Sequence, residues 1–145
     1  MKRIIFLAIC LTGLVGIALA QTGGKTFTKS FNAEGVDKIK FDLPGTVDLK
    51  IWNQPTVRIE IHVTLPSSNT STVEQLAKVG RYDLKGDMTS NLLVITAPNL
   101  QRVVKIKGEE VRETVTYVVF IPKDIEVEVS GTPSGMGAVS VQKKP

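Results

Sequence analysis

The sequence predicts a mainly β fold built from antiparallel hairpins, with one short helix near residues 72–79. Three observations predict it. The 125 residues after position 20 hold 17 Val, 8 Ile and 13 Thr but only 8 Leu and 4 Ala, and β-branched side chains fit pleated strands better than helices. Apolar and polar residues alternate with period two over long stretches. Pro, Gly, Asn and Asp interrupt those stretches every few residues, as turns between strands do.

The elements follow in order. Residues 21–30 are polar, with Phe27 the only apolar side chain, and read as a tail or a first edge strand. Val36, Ile39 and Phe41 open the patterned region, and Leu43-Pro44-Gly45 is a turn. Val47, Leu49 and Ile51 alternate with Asp48, Lys50 and Trp52; after the break at 53–56, Val57, Ile59, Ile61, Val63 and Leu65 alternate with Arg58, Glu60, His62 and Thr64. These two strands are expected to pair as an antiparallel hairpin. Setting Lys50 opposite Glu60 puts Asp48 on His62 and Trp52 on Arg58, three favourable pairs of about 0.2–1 kcal/mol each, whereas the neighbouring register opposes like charges.

Ser71-Thr72-Val73-Glu74 is a capping-box pattern, with Gly80 as the helix stop. Strand patterns resume at 81–85, a turn is expected over 86–91, and Leu92 to Thr96 is a strand. A short strand spans 103–107. The longest strand, Val111 to Ile121, carries Val115, Tyr117, Val119 and Ile121 on one face and Val118 and Phe120 on the other, so its end is expected to be covered on both sides. Ile125, Val127 and Val129 mark a further strand, 131–137 a Gly/Pro/Ser loop, and Ala138 to Val141 a last short strand.

Residues 1–20 are read as a signal peptide. Lys2 and Arg3 precede a nearly unbroken apolar run from Ile4 to Ala18, and Ala18-Leu19-Ala20 supplies small residues before Gln21. Ile9, not a small residue, precedes Cys10, which argues against lipidation there. The expected organisation is a leader (1–20), a tail or edge strand (21–30), a single β domain (31–142) and a tail (143–145). The whole chain carries +4; without the leader it carries +2 and has no cysteine, because Cys10 is the only one. That excludes disulfides and thiolate chemistry from the processed chain, and so small a charge makes no case for nucleic acid. The expected location is outside the cytoplasm: periplasm, cell surface or extracellular space, with the membrane met only during export.

Phe31-Asn32, Val36-Asp37-Lys38-Ile39, Leu43-Pro44-Gly45-Thr46-Val47-Asp48-Leu49-Lys50-Ile51, and above all Tyr117-Val-Val-Phe-Ile-Pro122-Lys-Asp-Ile-Glu-Val-Glu-Val129 with Gly137-Ala-Val-Ser-Val141 carry a resemblance. Together they resemble the "putative adhesin", autotransporter-adhesin-head-like domains of exported bacterial proteins. The resemblance implies that the hairpins lead into a short β-solenoid or sandwich-like stack, in which Val-x-Val strands joined by Ser/Gly turns form rungs. It brings no catalytic residues and no cofactor. The family continues through many rungs, whereas this sequence offers about one after Val129, so it reads as a minimal self-capped form or a shortened one.

The residues themselves offer little chemistry. His62 is the only histidine and reads as an exposed ladder residue beside Asp48. Ser130, Ser134 and Ser140 lie outside any nucleophile-elbow pattern. Glu126 and Glu128 share a strand face, as do Glu109 and Glu113 if extended; solvated charge is the ordinary meaning of such pairs, calcium or glycosidase work the rarer one. No metal, no cofactor and no catalytic residue is expected. Trp52, Arg58 and Tyr82 are the candidate contacts for a ligand or partner, Trp52 because its parity places an indole on a polar face. The expected function is a non-enzymatic, exported, adhesin-like protein-interaction domain, with a protein or glycan surface as partner and a homo-oligomer through an open strand edge, such as Ala138 to Val141, as a further expectation. Lys143 and Lys144 read alternatively as gatekeepers of that edge. The alternative function is a periplasmic small-ligand or glycan-binding protein using exposed aromatics, which requires a concavity.

Overall fold

The computed structural model describes residues 24–66 and 70–130. The expected leader, the loop 131–137, the strand 138–141 and Lys143 and Lys144 lie outside the described residues. In chain order the elements are β1 (Gly24–Asn32), β2 (Lys38–Asp42), β3 (Thr46–Trp52), β4 (Thr56–Thr64), α1 (Thr70–Lys78), β5 (Lys85–Thr89), β6 (Leu92–Thr96), β7 (Lys105–Ile106), β8 (Glu109–Glu110), β9 (Thr114–Pro122) and β10 (Glu126–Ser130). Among the described residues the fold is mainly β with one helix, as the composition and alternation predict. Among the described residues no helix is long and apolar enough to cross a membrane.

The strands form two four-stranded mixed sheets. The first runs β1-β4-β9-β3 and the second β10-β2-β6-β5, with β7 and β8 making a separate small hairpin. In the first sheet β4 runs antiparallel to both of its neighbours, β1 and β9, and β3 joins β9 in parallel. In the second, β10, β2 and β6 are parallel and β5 returns antiparallel to β6. Both sheets supply side chains to one core. Val57, Ile59, Ile61 and Val63 of β4 alternate perfectly with half-buried polar residues and are fully buried. Burying each such side chain contributes about 1.5–3 kcal/mol. Tyr117, Val119 and Ile121 of β9 join them from the first sheet, and Ile39, Phe41, Leu93 and Ile95 from the second.

The expected hairpin between β3 and β4 does not form. β9 lies between them, with Lys50 aligned to Phe120 and Glu60 to Val118. The physical reason is in β9 itself. A strand with apolar side chains on both faces gains most at the centre of a sheet, and it gives both neighbours a full backbone ladder. Charge pairs worth tenths of a kcal/mol do not outweigh that. β3 reaches its parallel position because Leu43-Pro44-Gly45 turns tightly against β9. Gly45 sits at φ +123°, and a Cβ there would lie 2.3 Å from the Val115 carbonyl oxygen.

The helix is found where it is expected, with Val73 and Leu76 buried. Its end follows the sequence signal: Gly80 has φ +79°, its N–H donates to the Ala77 carbonyl at 3.0 Å, and the Arg81 N–H donates to Leu76 at 2.9 Å. This paired closure satisfies two of the last carbonyls. The capping box is not seen, because Glu74 turns away from the helix start to pair with Lys25 of β1.

Three elements differ from expectation. Residues 81–84 are not a strand; they dock Arg81 and Tyr82 inward after the helix stop. The strand comes later, at β5, inside the expected turn, because Ser90-Asn91 alone closes the hairpin to β6 with Ser90 at φ 53°. The long strand also starts late, at Thr114, since Glu113 swings to Arg81. In place of one strand at 103–107 there is a tight hairpin whose Lys107 and Gly108 both have positive φ, the backbone of a two-residue I′-type turn.

Candidate functional site

The outer face of the first sheet carries the most chemically distinctive surface. Alternation places the even-numbered residues of β3, β4 and β9 on it, and register aligns them in rows. One row is Ser30, Arg58, Phe120 and Lys50; the next is Thr28, Glu60, Val118 and Asp48; the third is Thr26, His62, Thr116 and Thr46. Phe120 is the hub of the first row. The Trp52 ring lies 5.5 Å from it, the Arg58 guanidinium 5.7 Å and the Lys50 ammonium 5.8 Å. An aromatic pair contributes about 0.5–1.5 kcal/mol and an exposed cation over a ring about 0.5–1 kcal/mol. The expected cover over Phe120 and Val118 is thus supplied by flanking side chains, and both residues stay half-buried.

Trp52 and Arg58 therefore share one patch, though not as the direct pair the hairpin implied. The Trp52 indole N–H donates to the Thr56 carbonyl at 2.8 Å, which bridges the turn at 53–55 and orients the ring. Arg58 Nη2 donates to Glu60 Oε1 at 2.8 Å, while its buried Nε makes no hydrogen bond to a described residue. His62 sits at the other end of the face. Its Nδ1 is 2.8 Å from the Thr26 hydroxyl and its Nε2 3.9 Å from Glu60, with Asp48 two strands away rather than beside it.

Tyr82, the third candidate, is elsewhere. It is only 3% exposed and stacks on Phe27 at 5.4 Å. Burial first, and then the nearby Glu113 carboxylate, push its phenol up to about 12, against a smaller opposing pull from Arg81. Burial also raises Tyr117. Neither hydroxyl hydrogen-bonds to a described residue.

The carboxylate pairs resolve into ion pairs. Lys38 reaches Glu126 and Glu128, each at 3.1 Å, and Lys40 reaches Glu128 at 3.5 Å. These contacts hold Glu128 below the usual carboxylate range and raise Lys38. Glu109 and Glu113 do not share a face: Glu109 is in β8, and Glu113 meets Arg81 at 2.8 Å with both side chains under 10% exposed. Arg81 Nη1 also donates to the Asn99 and Arg102 carbonyls at 2.5 and 2.6 Å. This buried pair was not legible in the sequence, because nothing local links positions 81 and 113. The hub Phe120 was visible only as an apolar residue on the wrong parity.

The arginine and its partner line a groove of about 580 Å³ between the turn at 44–46 and residues 100–116. Leu100, Val103 and Val111 form part of its wall, and Arg102, Arg112 and Glu110 add charge. Trp52 and Tyr82 do not line it. Among the described residues no group of three or more His, Cys, Asp or Glu side chains is arranged to hold a metal ion.

No protein-family profile and no curated protein matches the chain. Solved structures do. One is a "putative cell adhesion protein" from Clostridium sporogenes, 16% identical over 76% of this chain and 47% of its own, with a TM-score of 0.41. A second, a "putative adhesin" from Bacteroides fragilis, is 12% identical over 75% of this chain and 41% of its own, with a TM-score of 0.42. A third, a "putative adhesin" from Parabacteroides merdae, is 24% identical over 77% and 38%, with a TM-score of 0.38. The chain spans less than half the length of each.

Proposed function

We propose that this chain is an exported, non-enzymatic, adhesin-like domain that binds a partner protein through the outer face of its first sheet. The observation that carries this reading is the patch of Trp52, Phe120, Lys50 and Arg58: two aromatic rings and two cations on a sheet face that alternation otherwise makes polar. Aromatic and arginine side chains are the ones enriched where proteins bind proteins. The signal-peptide pattern of residues 1–20 supports export.

The test is attachment of beads coated with the purified protein to bacterial and host-cell surfaces. Trp52→Ala and Arg58→Ala are each expected to lower attachment at least tenfold, the effect of a hot-spot residue worth about 1.4 kcal/mol or more, while Lys85→Ala on β5 leaves it unchanged. Equal attachment by all three variants overturns the reading. The groove beside Arg81 and Glu113 favours a second reading, small-ligand or glycan binding in a concavity. Saturable protection of the Arg102 and Arg112 region by a soluble envelope glycan, with bead attachment unaltered by Trp52→Ala, supports that one instead.

A further inference from the structure

We propose that β3 is a self-complementary edge through which two copies of this chain join their first sheets into one continuous sheet. Among the described strands β3 is paired on one side only, with β9. The other edges are guarded. Lys25 and Lys29 on β1 are tied to Glu74 and Asp83, and the helix packs beside that strand. β5 carries a Lys85–Asp87 pair, and β10 carries glutamates bound by Lys38 and Lys40. β3 differs in its charges, and its exposed apolar side chain is more open than Met88 of β5, which is 50% exposed. Neither Asp48 nor Lys50 has an ion-pair partner among the described residues, and Ile51, on the core side of the strand, is 67% exposed.

The sequence Thr46-Val-Asp-Leu-Lys-Ile-Trp52 is suited to pairing with itself. In an antiparallel pair with a two-fold axis at Leu49, all seven residues find partners. Asp48 faces the second copy's Lys50 and Lys50 faces its Asp48 on the outer side. Val47 faces Ile51, Ile51 faces Val47, and Leu49 meets Leu49 on the core side. Shifting the register by two in either direction opposes Lys50 with Lys50 or Asp48 with Asp48, and a shift by one turns apolar residues onto the polar face. One register thus satisfies charge and hydrophobicity together, and it closes as a symmetric dimer without leaving a β3 edge free. Ile51, uncovered in the single chain, is covered by Val47 of the second copy.

The test is light scattering after size exclusion over a concentration series, on the full chain expressed through its own export route and purified as the cell leaves it. The wild type is expected to dimerise. Asp48→Lys places lysines opposite one another at two positions by symmetry and is expected to weaken the dimer about tenfold or more. The charge swap Asp48→Lys with Lys50→Asp restores opposite pairing at both positions and is expected to recover it. Circular dichroism and thermal melting establish that each variant is folded. A wild type that stays monomeric at the highest concentration it tolerates overturns the proposal. So does a dimer that Asp48→Lys leaves intact, or a folded swap variant that remains monomeric. Bead attachment lost on Trp52→Ala in a chain that still dimerises bears on the binding face alone, so the two readings fail separately.

Discussion

At Tyr82 a phenol is held in the core without a hydrogen bond to any described residue. An unfolded tyrosine loses its proton near about 10, whereas the folded one is pushed up to about 12. Between those values the folded state binds more protons than the unfolded state, so stability is intact below about 10 and falls as pH rises through about 12. Tyr82→Phe is expected to flatten that alkaline loss in urea melts taken across the window, with Tyr117 supplying the residue of it. Near neutral pH the same variant is expected to be neutral or up to about 1 kcal/mol more stable, because no hydrogen bond is given up. A variant that keeps the full alkaline slope refutes the assignment. Residue-scale facing was largely legible: Val57, Ile59, Ile61 and Val63 point inward as their period requires. Tyr82 was not, because it lies after a helix stop where a period of two has no strand to act on.

Among the elements, the helix C-terminus, the turn at 99–102 and the start of β9 are joined by one side chain. Arg81 donates to Glu113 and to the carbonyls of Asn99 and Arg102 while nearly excluded from water. Truncating one member of a buried ion pair leaves the other charged and unpaired, which costs about 3–5 kcal/mol. Arg81→Ala is therefore expected to destabilise the protein by about that amount in equilibrium urea unfolding, and to loosen residues 99–113. A change under about 1 kcal/mol would show that the clamp is ornamental to the fold. Element positions were legible where local chemistry sets them. Gly80 ends the helix because its backbone tolerates positive φ, and Leu92–Thr96 is the strand expected ahead of the break at Pro98-Asn99. The pairing of β3 with β4 was misread, since adjacency in sequence and three charge pairs are weaker than the burial gained by placing β9 between them.

Across the whole molecule, stability should be graded by position in the sheets. β4 and β9 are central in the first sheet and carry its fully buried residues, whereas β3 and β5 are edges. Amide hydrogen exchange is expected to be slowest in β4 and β9 and faster in β5, whose residues are all exposed. Equal protection of β5 and β4 would argue against the strand order described. The sequence alone determined that the chain is mainly β, which side of each long strand faces inward, and where the helix stops. Those features depend on side-chain period and backbone preference over a few residues. Only the tertiary structure decided which strands became neighbours, that Trp52, Arg58 and Lys50 converge on Phe120, and that Arg81 meets Glu113. Such contacts join positions far apart in the chain, and they are selected by how much apolar surface the entire arrangement buries rather than by any local pattern.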